Sequence, residues 1–220
     1  ENGFGETPLK KYRRHIFLLH PNKVVIYDEL EANEKVRWDW LLHSPVKFDI
    51  NPAASILTTV NKEKGFSSVV QLFCEQEAAI TQTDKYAAPP NHADAQRGED
   101  FTDPWSLTAS FGPSRNNRIL TIIQVEADGR QAVQIMREGN TFRCGEWVIE
   151  AELNAKRPGR LYIRNSRNNA VFSYGDKKPE INGELYSCKE KDASVLFDCV
   201  NGEWTVQEMG DQRVQTMGKW

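Results

Sequence analysis

Residues 38–45 read "WDWLLHSP", and the fold turns on how that stretch is read. In the extended segment "VRWDWLLHS" (36–44), residues two apart share a face. Val36, Trp38, Trp40 and Leu42 then fall on one side, and Arg37, Asp39, Leu41 and His43 on the other. The tryptophans share their side with aliphatic residues, as the interior of a β-protein requires, and aromatic rings dominate burial in such cores. Carbohydrate platforms also use tryptophan, but exposed. The alternation therefore places Trp38 and Trp40 in the core, and leaves the chemistry to the opposite side.

Working outward, the same period of two recurs along the chain. Strands are expected in "RHIFLL", "KVVIYDEL", "FDI", "ASILTTVN" and "FSSVVQLFCE", and later in "WSLTASF", "RILTIIQVE", "QAVQIMRE" and "TFRCGEWVIEAEL". Further strands are expected in "RLYIRNS", "NAVFSYG", "GELYSCK", "SVLFDCV" and "EWTVQEM". Polar clusters punctuate them: "HPNK", "EANEK", "NKEKG", "EADGR" and "VNGEW" read as turns. No segment carries a sustained helical stripe, and "EQEAAI" has room for a helical turn or two. The pattern predicts an all-β protein, a large antiparallel two-sheet β-sandwich forming a single domain over residues 1–220. No repeat of 20–50 residues supports a propeller or solenoid. One long aperiodic stretch, residues 81–104, reads as either a binding loop or a plain excursion.

Bulk properties narrow the function. The 220 residues carry 28 basic and 31 acidic side chains, for a net charge of −3. They are interspersed, unlike the clustered basic footprint of a nucleic-acid binder. No apolar run approaches a membrane span. The chain starts at Glu1 with neither initiator Met nor signal peptide, so it reads as a processed product or excised fragment. The missing signal therefore says little about compartment.

Residue spacing decides which catalytic and metal motifs the chain could hold. His15, His20, His43 and His92 form no compact ligand set, so no metal and no cofactor are expected. Neither a nucleophile elbow, a P-loop nor a dinucleotide fingerprint is present. "EADGR" is too short for a calcium loop. Carboxylates such as Glu75 and Glu150 cannot be paired from sequence, so a two-carboxylate glycosidase site has no support. On the polar side of residues 36–44, Asp39 is a carboxylate that could orient the His43 imidazole, beside Arg37. That pairing becomes catalytic only with a third group and a pocket. Arg37, Asp39 and His43 are therefore candidates for carbohydrate contact, with no catalytic residue assigned. Among Cys74, Cys144, Cys188 and Cys199 there is no C-x-x-C pair. Cys188 and Cys199 flank "KEKDAS", and would form a disulfide if that were a hairpin turn; the alternative is two separate thiols.

The stretch "YRRHIFLLHPNKVVIYDELEANEKVRWDWLLHSP", with Arg14, Asp28 in "VVIYDEL" and His43 in "WDWLLH", resembles heparinase II/III-type polysaccharide lyases. "DPWSLTASFGPSRNNRILTIIQ" is similar to the same family's continuation. The resemblance covers residues 12–45 and 103–125. It implies a C-terminal β-sandwich whose catalytic (α/α) toroid lies upstream in the same polypeptide. The parent would cleave uronic-acid-containing polysaccharides by β-elimination in a periplasmic or secreted setting. The family's catalytic motifs have no counterpart in this chain, so an accessory, inactive region is expected. The alternative is a free-standing carbohydrate-binding or adhesion module. A complete enzyme with an unrecognised site is the third reading. Exposed aromatics would favour the module, and an exposed apolar docking surface the accessory region.

Overall fold

A computed structural model describes residues 8–85, 104–127, 129–165, 170–176, 179–181, 184–188, 193–200, 203–209 and 214–217. The chain is all-β and is built on two large antiparallel sheets, as the alternation predicts. Its internal contacts divide the expected single domain into two compact units, residues 1–132 and 133–220.

The first unit carries β1 (Leu9–Leu19), β2 (Lys23–Ser44), β3 (Asp49–Asn51), β4 (Ile56–Asn61), β5 (Phe66–Phe73), β6 (Ala78–Thr83) and β7 (Trp105–Ala127). The sheet order is β1-β2-β7-β5-β4-β3, with β6 also paired to β7. β2 and β7 are its spine. They pair from Lys23↔Gln124 through to Ser44↔Trp105. On its other edge β7 takes β5 along residues 120–127 and β6 along 106–111.

Two expectations change here. "EANEK" is no turn, because β2 runs straight through it. Between Glu31 and Val36 the strand advances five residues while β7 advances two, from Asn116 to Ser114, which leaves a bulge of three. One step further on, between Val36↔Ser114 and Trp38↔Phe111, the extra residue falls on β7 instead, where Gly112 and Pro113 lie opposite Arg37. Proline cannot donate to a ladder and is confined to edges or bulges, so both strands break regularity at neighbouring steps. "EQEAAI" likewise forms no helix: Ala78, Ala79 and Ile80 pair with Phe111, Ser110 and Ala109 as part of β6.

The core of this unit gathers Leu30, Trp40, Phe48, Leu57, Val70, Leu72, Leu107, Ala109, Phe111 and Ile119. Residues of β2, β6 and β7 thus meet residues of β4 and β5, and the sheet closes on itself. Trp40 is buried, as expected. Trp38 is half-buried against the same cluster, and its indole donates to the Ser114 carbonyl and hydroxyl at 3.2 and 3.1 Å. A short helical turn, Pro52–Ala54, leads into β4. Gln82 links β6 to the loop between β2 and β3 by accepting from the Phe48 amide and donating to its carbonyl.

The second unit carries β8 (Met136–Glu138), β9 (Thr141–Cys144), β10 (Trp147–Ala151), β11 (Leu161–Asn165) and β12 (Val171–Tyr174). A two-stranded ribbon follows, β13 (Glu180–Ile181) with β14 (Glu184–Leu185), then β15 (Ser194–Val200), β16 (Glu203–Met209) and β17 (Val214–Met217). The main sheet runs β17-β16-β15-β12-β11-β10-β9-β8. "TFRCGEWVIEAEL" is two strands rather than one: Gly145 at φ +64 turns the chain so that Cys144 faces Trp147. "QAVQIMRE" is extended only from Met136. The Cys188–Cys199 pairing is not made. Cys199 sits in β15 opposite Trp204 of β16, while the Cys188 thiol donates to the Asp176 carbonyl, and both are free thiols. Residues 189–192, between them, lie outside the described residues, as do 86–103 of the long aperiodic stretch.

Trp40 is 3% exposed inside this core. Trp40→Ala is therefore expected to cost about 3–5 kcal/mol through lost burial and the cavity left behind; a urea melt within 1 kcal/mol of wild type, on the order of the smallest such losses, would break the strand assignment. In the second unit, Gly175 has φ +76, and a Cβ there would lie 2.0 Å from the Gly159 carbonyl oxygen. Gly175→Ala should lose about 1–3 kcal/mol from the left-handed conformation alone, plus the cost of moving that backbone. Thermal melting of the variant at the wild-type temperature would contradict the close approach.

Candidate functional site: the open face of β2, β7 and β6

Beyond the bulge, the side of β2 opposite the core is open. Arg37, Asp39, Leu41 and His43 are all exposed, as their alternation predicts. Strand register puts the last three beside residues of β7 and β6 and makes a three-by-three grid. Asp39 lines up with Ser110 and Ala79, Leu41 with Thr108 and Thr81, and His43 with Ser106 and Thr83. The β6 members are exposed and the β7 members half-exposed. Five of the nine are hydroxyl residues, contributed by strands that sequence reading had not joined to β2. The signal was present as "SLTAS" and "AITQT", two alternating hydroxyl runs, but only the register shows that they are neighbours.

Strand spacing sets the size of the grid: about 13 Å from row 39 to row 43, and about 10 Å across three strands. That length corrects the expected His–Asp pairing. Four residues of extended chain hold Asp39 too far from His43 to orient its ring. The carboxylate is engaged elsewhere: Arg37 Nη2 lies 3.0 Å from Asp39 Oδ2, and Ser110 Oγ donates to Oδ1 at 2.7 Å. Arg37 is 69% exposed in its side chain, so most of its donors face solvent. The face offers hydroxyl donors and acceptors, the exposed Arg37–Asp39 ion pair and one imidazole, spread along three strands. That suits the recognition of a polyhydroxylated, acidic chain better than it suits proton transfer at one atom.

The other half of β2 is organised differently. Arg14 of β1 makes a bidentate pair with Asp28, Nε to Oδ1 at 2.6 Å and Nη2 to Oδ2 at 2.9 Å. Asp28 is buried, and burial pushes its carboxyl up while Arg14 pulls against that shift. Next to it Glu29 bridges Lys11 and Arg118, the latter at 3.5 Å. Of the residues singled out by resemblance, Arg14 and Asp28 thus form one ion pair, and His43 stands apart on the opposite face of the other half. Their role in the fold is to bind β1 to β2.

In the second unit the Tyr186 hydroxyl donates to Glu208 at 3.1 Å within a buried cluster, and its ring meets Phe197 edge-on. Burial and Glu208 push that phenol up to about 12, and burial likewise pushes the Cys188 thiol up to about 11. Groups so shifted stay protonated at neutral pH. Among the described residues no three His, Cys, Asp or Glu side chains are arranged to hold a metal ion. No helix among them is long and apolar enough to cross a membrane.

Comparison with protein-family models gave no match, and neither did comparison with curated proteins.

His15 supplies a test of the β1 environment. Its ring stacks on Phe17 and tilts against Tyr27, and burial with Arg13 and Lys11 nearby lowers its pKa to about 4 from 6.5. The fold therefore favours the neutral ring. Stability from this residue is complete above pH 6.5 and is lost as pH falls toward about 4, because the unfolded chain takes up the proton first. His15→Phe should flatten that part of the stability–pH curve. An unchanged slope would show that the ring is not held neutral.

Proposed function

We propose that this chain is an accessory, non-catalytic β-region of a heparinase II/III-type polysaccharide lyase, and that it meets a uronic-acid-containing polysaccharide across the β2–β7–β6 face. The observation that carries the reading is the grid of five hydroxyls beside Arg37. A guanidinium matches carboxylate or sulfate in bidentate geometry, and hydroxyls exchange hydrogen bonds with sugar hydroxyls. The sequence resemblance supports the polysaccharide class. It runs over residues 12–45 and 103–125, which fall on β1, β2 and β7, two of the three strands of the face. On this reading the catalytic toroid belongs to the same polypeptide, and the parent works in the periplasm or outside the cell.

The second reading, a free-standing carbohydrate-binding module, would draw on exposed aromatic rings. Among the described residues the large exposed hydrophobic side chains are aliphatic or Met, except for Tyr12 on β1. The grid itself contributes only Leu41 and Ala79 as apolar members, so stacking on sugar rings is not what it offers.

The test pairs binding with turnover. Titrated with heparan sulfate, chondroitin, hyaluronan and alginate in a calorimeter, the chain should bind at least one. Arg37→Ala should weaken that binding by about threefold to tenfold, the loss of one exposed charge-assisted contact. Thr108→Glu, which puts a negative charge at the centre of the grid, should abolish it. Near-ultraviolet absorbance, which reports the unsaturated uronate of eliminative cleavage, should not rise with any of the four. Turnover would overturn the non-catalytic reading. Binding indifferent to both substitutions would move the polysaccharide off this face.

A further inference from the structure

Charge is unevenly distributed over the open face of β2, β7 and β6. The nine grid positions hold one carboxylate, Asp39, and neither Lys nor Arg. The guanidinium of Arg37 stands one row before them and is already shared with that carboxylate at 3.0 Å. Ser110 donates to the other carboxylate oxygen at 2.7 Å, so Asp39 is held in place on the face. The side chains of Arg37 and Asp39 are 69% and 31% exposed, so both charges act at the surface.

The middle row, Leu41 with Thr108 and Thr81, carries no charge. The ends of the face add little to it. Glu75 and Glu77, both exposed, lead into β6 at the Arg37 end. Past the last row Lys47 lies over the Trp105 ring, 5.1 Å from its centroid, and that ring packs on the core side. Asp84 and Lys85, which follow Thr83, cancel in charge.

Distance decides what such a face tolerates. Successive rows are about 7 Å apart along a strand, which is inside the screening length of about 8 Å at physiological salt. A sulfate or carboxylate over the middle row would therefore feel Asp39 and would have no cation of its own. A chain along the grid can place one anion at Arg37. Each further anion meets a neutral row or Asp39, and an unpaired like charge is how a surface rejects a competing partner. An uncharged sugar instead finds hydroxyls at Thr81 and Thr108 and an apolar contact at Leu41.

We propose, on the basis of the polysaccharide reading of this face, that it selects an acidic polysaccharide of low charge density, unsulfated and with uncharged sugars between its carboxylates. Asp39 is the specificity-determining residue that rejects densely charged chains.

Calorimetric titration of the whole chain at one ionic strength tests this with four polymers. Hyaluronan carries a carboxylate on alternate sugars and no sulfate, alginate a carboxylate on every sugar, and heparan sulfate and heparin add sulfates. Hyaluronan should bind about tenfold more tightly than heparin, the scale of a single unrelieved like-charge contact, with alginate between them. Asp39→Asn keeps an oxygen for Ser110 and removes the charge; it should shrink the hyaluronan-to-heparin ratio by about fivefold. Glu63→Gln makes the same change of net charge in the exposed β4–β5 hairpin, and should leave the ratio where it is. Heparin binding as tightly as hyaluronan overturns the proposal and leaves the polysaccharide reading standing. So does a ratio that Asp39→Asn fails to move, or that Glu63→Gln moves equally. Binding of none of the four overturns the polysaccharide reading and the proposal with it.

Discussion

The pairing of β2 with β7 is the constraint from which the rest of the first unit follows. Two strands of 22 and 23 residues are zipped end to end. Each of β1, β5 and β6 pairs with one half of one of them, and β4 and β3 build outward from β5. A pair that long cannot stay flat, because strands twist. Two irregularities one step apart, Glu31–Val36 on β2 and Gly112–Pro113 on β7, concentrate the bend. The bend lets the β2–β6–β7 half turn its Trp40 and Phe111 side toward Leu57, Val70 and Leu72, and so close a core from a single sheet.

That bend also separates two surfaces with different chemistry. On one side of it β1 is fastened by charge: Arg14 with Asp28, and Lys11 with Glu29 and Arg118. Such buried pairs add little net stability against an apolar alternative, but breaking one leaves a charge in a poor solvent. Their value here is register, since a one-residue slip of β1 would separate every pair and turn Ile16 and Leu18 to the other side. On the far side of the bend charge is sparse and hydroxyls dominate, with Asp39 held by Arg37 and Ser110. The polysaccharide reading draws on that second surface.

Much of the fold was legible because burial follows period two. Trp38, Trp40 and Leu42 inward with Arg37, Asp39, Leu41 and His43 outward could be read from nine residues, and the structure places them so. What failed had local causes. "EANEK" and "GPSRNN" carry turn residues, yet each lies against the other, and bulges absorb both without ending a strand. "EQEAAI" has helix-forming residues, but the ladder to Ala109–Phe111 overrides propensity. "KEKDAS" has the composition of a hairpin turn, but the cross-strand partner of Cys199 is Trp204. At the site, the β2 residues were readable and their neighbours were not, because Ser106, Thr108 and Ser110 join β2 through pairings 63 to 71 residues apart, and Thr81 and Thr83 join only through β7, 23 to 27 residues away, beyond the reach of local pattern. The supposed closeness of Asp39 and His43 fell to strand rise alone.

If β2 and β7 act as one continuous pair across the bend, their amides should open together. Native-state hydrogen exchange, read residue by residue, tests this most directly. The account predicts that Leu107, Ala109 and Phe111 of β7 exchange as slowly as Leu120 and Ile122, through the same cooperative opening. If residues 105–111 exchanged through a separate, easier opening while 119–124 stayed protected, the two halves would be independent. The open face would then not be held by the pairing on which this account rests.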